Sequence, residues 1–400
     1  MKNKMMTFAL ATVMTASSAA QANISGDEVN IGVLTDMTGL YSAVGGAGAV
    51  AATEMAVEDF GGEVAGKPIN IVSSDHQNRA DIASSKSREW IDNEGVDVIV
   101  EMLNSSVAIA VQKLASSKGV VTINTGAGTT ALTNEECAPL GIHYVYDTHA
   151  LPVGTATAIV ENGGENWYFI TADYAFGQSL EKNTSEVVKA NGGTVVGSVR
   201  HPLSTTDFSS YLIQAQSSGA DVVALGNAGT DFTNAVRQAG EFGITDTQTL
   251  AGMLVFISDV HALGLETAQG LQYTSAWYWD QNEETRAFGE RFLERTGSMP
   301  SMVQAGLYSA VTNYLKAIEE TGTDEGKSVR AFFGETTMND MFHKNATVQP
   351  NGRVIHDMYL LKVKSPGESE RPWDYATVEG TIPGDEAFIP LSESTCSLKK

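Results

Sequence analysis

The feature that most constrains this chain is a repeated alternation of short β-branched runs with longer stretches of helical period. The first series predicts strands at 29–35, 69–74, 96–100 and 120–124. Helices are predicted between them, at 47–59, 80–92 and 106–117. The strand runs are mostly apolar, as expected when crossover helices cover both faces of a sheet. The pattern therefore predicts a doubly wound parallel sheet of the α/β class.

A second series of the same kind follows a break at 146–152. It predicts strands at 166–171, 194–200, 220–225, 248–254 and 270–275, with helices at 177–190, 207–218 and 231–241. Further helices are predicted at 283–295 and 301–321, followed by an Asn351-Gly352 turn and a strand at 354–363. The 400 residues exceed the roughly 250–300 that one hydrophobic core supports. Two parallel-sheet lobes are therefore expected.

The order of these segments predicts that the chain passes between the lobes more than once. Lobe 1 is predicted to contain residues 23–146 and 276–350, and lobe 2 residues 147–275 and 351–390. Residues 391–400 are predicted to form a C-terminal tail. Several passages between two lobes make a hinge rather than a flexible tether.

The first 22 residues, MKNKMMTFALATVMTASSAAQA, have the composition of a secretory signal peptide. Lys2 and Lys4 precede a short apolar run, and Ala20-Gln21-Ala22 matches an A-x-A cleavage site. The run is shorter than the roughly 20 residues that span a bilayer, although a buried N-terminal helix is an alternative. The prediction is an exported chain that works in a bacterial periplasm.

The charge of the chain limits its partners. It carries 25 Lys and Arg against 48 Asp and Glu, a formal charge of -23. Removal of Lys2 and Lys4 with the signal peptide takes this charge to -25. Nucleic acids and anionic membrane surfaces bind through clustered basic residues, so neither is an expected partner.

Cys137 and Cys396 are the two cysteines of the sequence. In an oxidising compartment an even pair predicts one disulfide, with two unpaired thiols as the alternative. Neither these cysteines nor the seven histidines have metal-ligand spacing, so no metal is predicted.

Gly46, Gly48 and Ala51 satisfy G-x-G-x-x-A, but ten residues separate them from the preceding strand, so no dinucleotide cofactor is expected. The G-x-S-x-G motif that carries a nucleophilic serine is absent from the sequence, so enzymatic activity has no support from this motif.

Ligands of open α/β sheets bind at the carboxyl ends of the strands, which directs attention to the loops found there. In lobe 1 these loops offer backbone amides and hydroxyls that suit a carboxylate. The candidates are Asn104, Ser105, Gly126, Ala127, Gly128 and Thr129. Helix capping is the alternative role for Asn104 and Ser105.

Aromatic residues on loops are candidates for covering a ligand, because an apolar ring exposed to water is unfavourable unless it packs against another group. Tyr41, Tyr174, Phe176 and Trp277 belong to this group, with packing beneath their own loops as the alternative. Further candidates are Asn227, Met253 and Tyr308.

Five segments together resemble the branched-chain amino-acid-type (Leu/Ile/Val-binding-like) substrate-binding proteins of ABC transporters. They are VNIGVLTDMTGLYSAVGG, MLNSSVAIAVQ, TINTGAGTTALT, TADYAFGQS and VRQAG. The resemblance covers about 28–396. It implies a type I periplasmic binding fold, with two lobes joined by three crossovers and closing on a ligand. It also implies a monomer that delivers its solute to a membrane permease, and it supports the Cys137–Cys396 bridge.

The resemblance also implies roles for individual residues. Ser105 and 126–129 would hold the carboxylate, and Tyr41, Tyr174 and Phe176 would cover the ligand. Asn227 and Ala228 would border the pocket, and Tyr308 would lie near the cleft.

One departure from the family pattern bears on the ligand. Amino-acid binders carry an acid after the fourth strand of lobe 2 to pair with the ligand's ammonium, whereas residues 251–256 contain none. Asp173, Asp231 and Glu101 are the candidate substitutes, but a buried ammonium without a counter-charge is costly. The sequence therefore favours an aromatic or branched aliphatic acid, with a branched-chain amino acid as the alternative. The competing classes are an exported enzyme and a receptor's ligand-sensing module.

Overall fold

The computed structural model describes residues 23–399, so the predicted signal peptide lies outside the described residues. The strands are β1 Val29–Thr35, β2 Glu63–Val64, β3 Lys67–Asp75, β4 Val98–Glu101, β5 Val121–Asn124, β6 Gly141–His143, β7 Asn166–Ala172, β8 Thr194–His201, β9 Val222–Gly226, β10 Thr249–Gly252, β11 Gln272–Ser275, β12 Thr347–Val348, β13 Val354–Ile355, β14 Met358–Val363 and β15 Ala376–Ile382.

The helices alternate with these strands. They are α1 Gly46–Phe60, α2 Ala80–Glu89, α3 Ser105–Ser117, α4 Ala150–Glu161, α5 Ala175–Ala190, α6 Ser209–Ser217, α7 Thr230–Glu241, α8 Ile257–Leu263, α9 Leu265–Ala268, α10 Glu283–Thr296, α11 Met302–Thr321, α12 Gly326–Glu335 and α13 Gly384–Ala387. Between residues 23 and 399, no helix combines the length and apolarity that a membrane crossing needs.

The first lobe is built on a six-stranded sheet with the order β2-β3-β1-β4-β5-β6. Its β3, β1, β4, β5 and β6 strands pair in parallel, and only the short β2 runs antiparallel. Helix α1 packs against α11, and α2 packs against α3. The first predicted series therefore forms one sheet, and β1 has the predicted bounds.

The second lobe contains a parallel sheet with the order β10-β9-β7-β8. An antiparallel sheet with the order β11-β14-β15 adjoins it, and α4 packs on β11 and α5. The predicted α/β fold of two parallel-sheet lobes is thus confirmed. Sequence reasoning missed α4, which begins within the break expected at 146–152, and β15, which lies between the predicted strand at 354–363 and the predicted tail.

The chain passes between the two lobes at 144–149, after β6, at 276–282, after β11, and at 349–357, after β12. Two of these crossings are bonded to each other: His356 Nε2 lies 2.6 Å from the Val145 carbonyl oxygen, and Arg353 Nη1 donates to the Tyr146 carbonyl oxygen. The predicted disulfide is present between Cys137 and Cys396. It returns the tail from β15 and α13 to lobe 1, which adds a fourth covalent connection across the hinge.

Candidate functional site

The carboxyl ends of the two parallel sheets face each other, and their loops touch across the cleft. The hydroxyls of Tyr41 and Tyr174 are 2.6 Å apart, which joins the loop after β1 to the loop after β7. The amide of Thr230 donates to the carbonyl oxygen of Leu40 at 3.3 Å. The structure therefore describes the two lobes in a closed arrangement.

A small cavity of about 10 Å³, which is room for roughly one water-sized group, lies at this junction. Lobe 1 and the first crossing supply three of its lining residues and lobe 2 the rest. The lining residues are Tyr41, Leu103, Tyr146, Tyr174, Phe176, Ala228, Leu254 and Phe256. None of these residues carries a charge, so a solute that the lobes enclosed here on closing would meet apolar and aromatic walls.

Tyr41 is held in place by a buried carboxylate. Asp36 Oδ2 accepts from the Tyr41 amide at 3.0 Å, and Oδ1 accepts from the Gly39 amide at 2.7 Å. Tyr41 is only 4% exposed, and burial raises the pKa of its hydroxyl. Burial also raises the pKa of Tyr174. Both hydroxyls therefore stay neutral, and one of them donates to the other.

The loop after β4 carries two adjacent predicted residues with different roles: Asn104 caps a helix, and Ser105 is a candidate ligand contact. Asn104 Oδ1 accepts from the amides of Ser106 at 2.9 Å and Val107 at 3.2 Å, so Asn104 is the N-cap of α3. Ser105 Oγ accepts from the Thr129 amide at 3.2 Å. Among the described residues, no acceptor is present for the hydrogen of the Ser105 hydroxyl. Ser105 does not line the cavity, but Leu103, two residues earlier, does.

The loop at 126–129 is organised mainly by its own hydrogen bonds. The Ala127 amide donates to Asn124 Oδ1 at 3.1 Å, and Thr129 Oγ1 accepts from the Ala131 amide at 3.3 Å. The Gly126 carbonyl oxygen accepts from the Tyr146 hydroxyl at 2.5 Å. A Cβ on Gly128 would lie 2.8 Å from Tyr146 and 3.0 Å from Phe176, so this glycine allows two cavity walls to approach.

Three other predicted residues, Asn227, Met253 and Trp277, do not line this cavity. Asn227 is fully buried and its Nδ2 donates to His201 Nε2 at 3.0 Å. Met253 is buried beside the lining residue Leu254 but does not itself line the cavity. Trp277 lines a second small cavity that shares Phe256 with the first.

Tyr308 lies apart from the cavity. Its hydroxyl donates to Asp59 Oδ2 at 2.7 Å, and its ring centroid lies 4.7 Å from that of Phe288. Asp59 belongs to α1 and Phe288 to α10, two helices of lobe 1. Tyr308 therefore supports the packing of these helices and does not line the cavity.

Sequence reasoning missed four lining residues. Leu103 lies inside a loop that was selected for its polar neighbours. Tyr146 lies in the first crossing, where an aromatic residue at a lobe boundary was an available signal. Leu254 and Phe256 lie between β10 and α8, in a segment that bends at Met253 and Leu254, so no strand periodicity marked them.

Several acids surround the cavity without lining it. Glu101 is fully buried behind Leu103, whose amide donates to Oε2 at 2.9 Å, and burial raises the pKa of Glu101. Burial raises the pKa of Asp231 to about 7. Asp173 is exposed and lies 3.5 Å from Arg200.

A further acid follows β10, although residues 251–256 contain none. Asp259 is buried in α8, and its Oδ2 accepts from the Phe256 amide at 2.9 Å. This bond fixes the loop that carries the Phe256 wall. Within residues 23–399, no group of three or more His, Cys, Asp and Glu side chains is arranged to hold a metal ion.

Comparison with known proteins agrees with this architecture. The family described as periplasmic binding protein matches residues 28–368. A solved periplasmic binding protein from Burkholderia mallei is 52% identical with a TM-score of 0.92, and the match covers 94% of this chain and 100% of that one. A branched-chain amino-acid ABC transporter periplasmic ligand-binding protein from Burkholderia xenovorans LB400 is 39% identical with a TM-score of 0.83. That match covers 93% of this chain and 100% of that one. Leu/Ile/Val-binding protein homolog 6 of Brucella suis is 26% identical over 373 residues, which is 89% of this chain and 91% of that protein.

More distant solved structures share the fold. Two are solute-binding proteins of ABC transporters from Rhodopseudomonas palustris. One, in complex with benzoate, is 20% identical with a TM-score of 0.81, and the match covers 93% of this chain and 100% of that one. The other, in complex with 4-hydroxybenzoate, is 21% identical with a TM-score of 0.81, and the match covers 90% of this chain and 98% of that one.

Proposed function

Because this chain belongs to the periplasmic binding protein family, we propose that it captures a small carboxylate-bearing solute for an ABC importer. The family match and the solved relatives make it a type I periplasmic binding protein of the branched-chain amino-acid ABC type. Such proteins bind solutes and are not enzymes. The proposal concerns the class of solute, the residues that hold it and its delivery to a membrane permease.

One observation carries the proposal: an uncharged, largely aromatic cavity lies between the lobes, and its lining residue Leu103 is two residues before Ser105 at the start of α3. The -23 formal charge of the chain opposes a small anion at long range. A carboxylate must therefore be held by local dipoles, and we assign this role to the Ser105 hydroxyl and the N-terminal dipole of α3, since the Thr129 amide already donates to Ser105 Oγ. The apolar walls then bury the remainder of the solute.

Capture follows from hinge closure. A solute that contacts Tyr41 on one lobe and Tyr174 or Phe176 on the other favours the closed arrangement over the open one. The closed form is the one we propose is presented to the permease. Cleavage of the signal peptide after Ala22 and action as a monomer complete the proposal.

We propose an aromatic or branched aliphatic acid as the solute. No acid lines the cavity among the described residues, and an ammonium enclosed there would lack a direct counter-charge. The benzoate and 4-hydroxybenzoate complexes of distant relatives support this choice. The names of the Burkholderia xenovorans and Brucella relatives favour the alternative, a branched-chain amino acid.

Titration calorimetry against two panels distinguishes the alternatives. One panel contains benzoate, 4-hydroxybenzoate, phenylacetate and 4-methylpentanoate; the other contains leucine, isoleucine and valine. We expect saturable binding of at least one acid of the first panel. Binding of leucine with no response to any acid would overturn the choice of solute.

Replacement of Ser105 tests the carboxylate contact. In Ser105→Ala the solute loses a hydroxyl donor, and hydrogen bonds to charged groups contribute about 1.5–3 kcal/mol, so we expect affinity to fall about 10- to 100-fold. Calorimetry with the tightest acid of the panel measures the change. Ser106→Ala, one residue farther along α3, is the matched control. Equal affinities for the two folded variants would count against the role of Ser105.

Replacement of Gly229 tests lobe closure. A Cβ at this position would lie 2.4 Å from the Leu40 carbonyl oxygen of the opposite lobe, and its φ of +61° disfavours a side chain. Gly229→Ala should oppose the closed form, and overpacking costs about 1–3 kcal/mol, so we expect affinity for the same acid to fall about 5- to 100-fold.

Gly192→Ala separates closure from backbone strain. Gly192 also has positive φ, +90°, but a Cβ at this position would meet no atom within 4 Å. It should lower thermal stability while leaving affinity unchanged. If both variants bind as tightly as the parent, closure does not depend on the Gly229 contact.

A further inference from the structure

A second cavity of about 10 Å³, which is room for roughly one oxygen-sized group, lies behind Phe256. It is bordered by the crossing that follows β11 and by the start of α11. Aromatic rings form much of its wall, and Phe256 faces both cavities. The lining residues used below are Phe256, Tyr273, Trp277, Tyr278 and Trp279. The side chain of Phe256 is therefore the partition between the proposed solute site and this second space.

Trp277 carries a buried donor with no acceptor. Its side chain is 3% exposed, and among the described residues no partner is present for its Nε1–H. The neighbouring groups differ, because Trp279 Nε1 donates to the Trp373 carbonyl oxygen at 2.9 Å. The Tyr278 hydroxyl accepts from the Ala376 amide at 3.1 Å. A buried donor without a partner costs about 1–3 kcal/mol, so this indole is costly to maintain unless something accepts its hydrogen.

The indole is also fixed in position. The Trp277 carbonyl oxygen accepts from Ser275 Oγ at 2.8 Å, and its ring meets Phe288 edge to face at 6.0 Å between centroids. An indole N–H only donates, so its partner must be an acceptor.

We propose that the two cavities form one extended binding site and that Trp277 Nε1–H donates to an oxygen of the solute. This inference rests on the proposed function. With the carboxylate at Ser105 and the aromatic ring against Phe256, the oxygen lies at the end of the solute far from the carboxylate. The solute class is then an aromatic carboxylate with an oxygen acceptor opposite the acid group. A small displacement of Phe256 admits that oxygen to the second cavity.

The experiment compares two nearly isosteric acids, 4-hydroxybenzoate and 4-methylbenzoate, against the parent chain and Trp277→Phe. Titration calorimetry gives the ratio of the two dissociation constants for each protein. In the parent we expect 4-hydroxybenzoate to bind about 5- to 10-fold more tightly. Trp277→Phe keeps an aromatic ring and removes the donor, so the ratio should approach one.

Trp167→Phe is the control for the substitution itself. Trp167 Nε1 donates to the Gly164 carbonyl oxygen at 2.8 Å, near the start of β7 and far from both cavities. This variant should keep the parent ratio. The parent chain alone also tests the inference, which removes dependence on the folding of any variant.

The outcomes separate the two proposals. If both acids bind the parent equally, or if Trp277→Phe keeps the parent ratio, the extended site is wrong while carboxylate capture stands. If neither acid binds and no other acid of the panel does, the proposed function fails and the inference fails with it. A parent preference that disappears only in Trp277→Phe supports the extended site.

Discussion

Replacement of both cysteines by serine is expected to lower the free energy of unfolding by about 2–5 kcal/mol. The disulfide joins residues 259 positions apart, so it restricts a very long loop of the unfolded chain. Two hydrogen bonds hold the same part of the tail to lobe 1: Ser394 Oγ donates to the Thr133 carbonyl oxygen at 3.0 Å, and the Thr395 amide donates to Asn134 Oδ1 at 3.1 Å. These local bonds do not replace the covalent constraint.

Urea unfolding of the parent and of Cys137→Ser/Cys396→Ser measures the loss. Addition of a thiol reductant provides the control, because it should destabilise the parent and leave the double variant unchanged. Coincident unfolding curves for the parent and the double variant would show that the bridge adds nothing to stability. A response of the double variant to reductant would show that the reductant acts elsewhere.

Strands could be predicted where burial on both faces makes the sequence a short, continuous apolar run. The run at 29–35 is apolar because neighbouring strands and helices enclose β1, and its predicted limits match the structure. Helix α4 lacked such a signature: it is apolar around most of its circumference and includes Pro152 and Gly154, so no helical period stands out. Strand β15 was missed because it is a partly exposed edge strand with Glu379 and Gly380 in its interior.

The site was predictable to the extent that topology alone locates it. Parallel strands place their following loops at one edge, so sequence position predicted that Tyr41 and Tyr174 lie at the same edge, and both line the cavity. The orientation of a side chain within a loop or on a helix was harder. The chain bends at Met253 and Leu254, so strand alternation does not give the direction of either side chain, and Leu254 lines the cavity while Met253 does not. Tyr308 lies away from the cavity because the facing direction of α11 depends on its packing against α1.

Arg353 holds the hinge together from within. Its Nη1 donates to the Tyr146 carbonyl oxygen at 3.1 Å, and its guanidinium lies 4.2 Å from the ring centroid of Phe388, which directly follows α13. Asp147 Oδ2 is 3.9 Å from Nη1, and both side chains are almost completely buried. Burial lowers the pKa of Arg353 to about 10, so the group is still charged at neutral pH. One buried cation of the third crossing thus contacts both the first crossing and the end of α13.

Arg353→Met is expected to lower the free energy of unfolding by about 3–5 kcal/mol, because it leaves the Asp147 carboxylate buried without its cation.

Arg371→Met is the matched control. Arg371 also stacks on an aromatic ring, Trp279 at 4.9 Å, and pairs with Asp280 at 2.8 Å, but it is exposed, so about 1 kcal/mol or less is expected. Adding Asp147→Asn to Arg353→Met should recover part of the loss, since the orphaned charge is then removed. Urea unfolding measures all four proteins. Losses of similar size for the Arg353 and Arg371 variants, or no recovery in the double variant, would show that the buried charge pair does not stabilise the hinge.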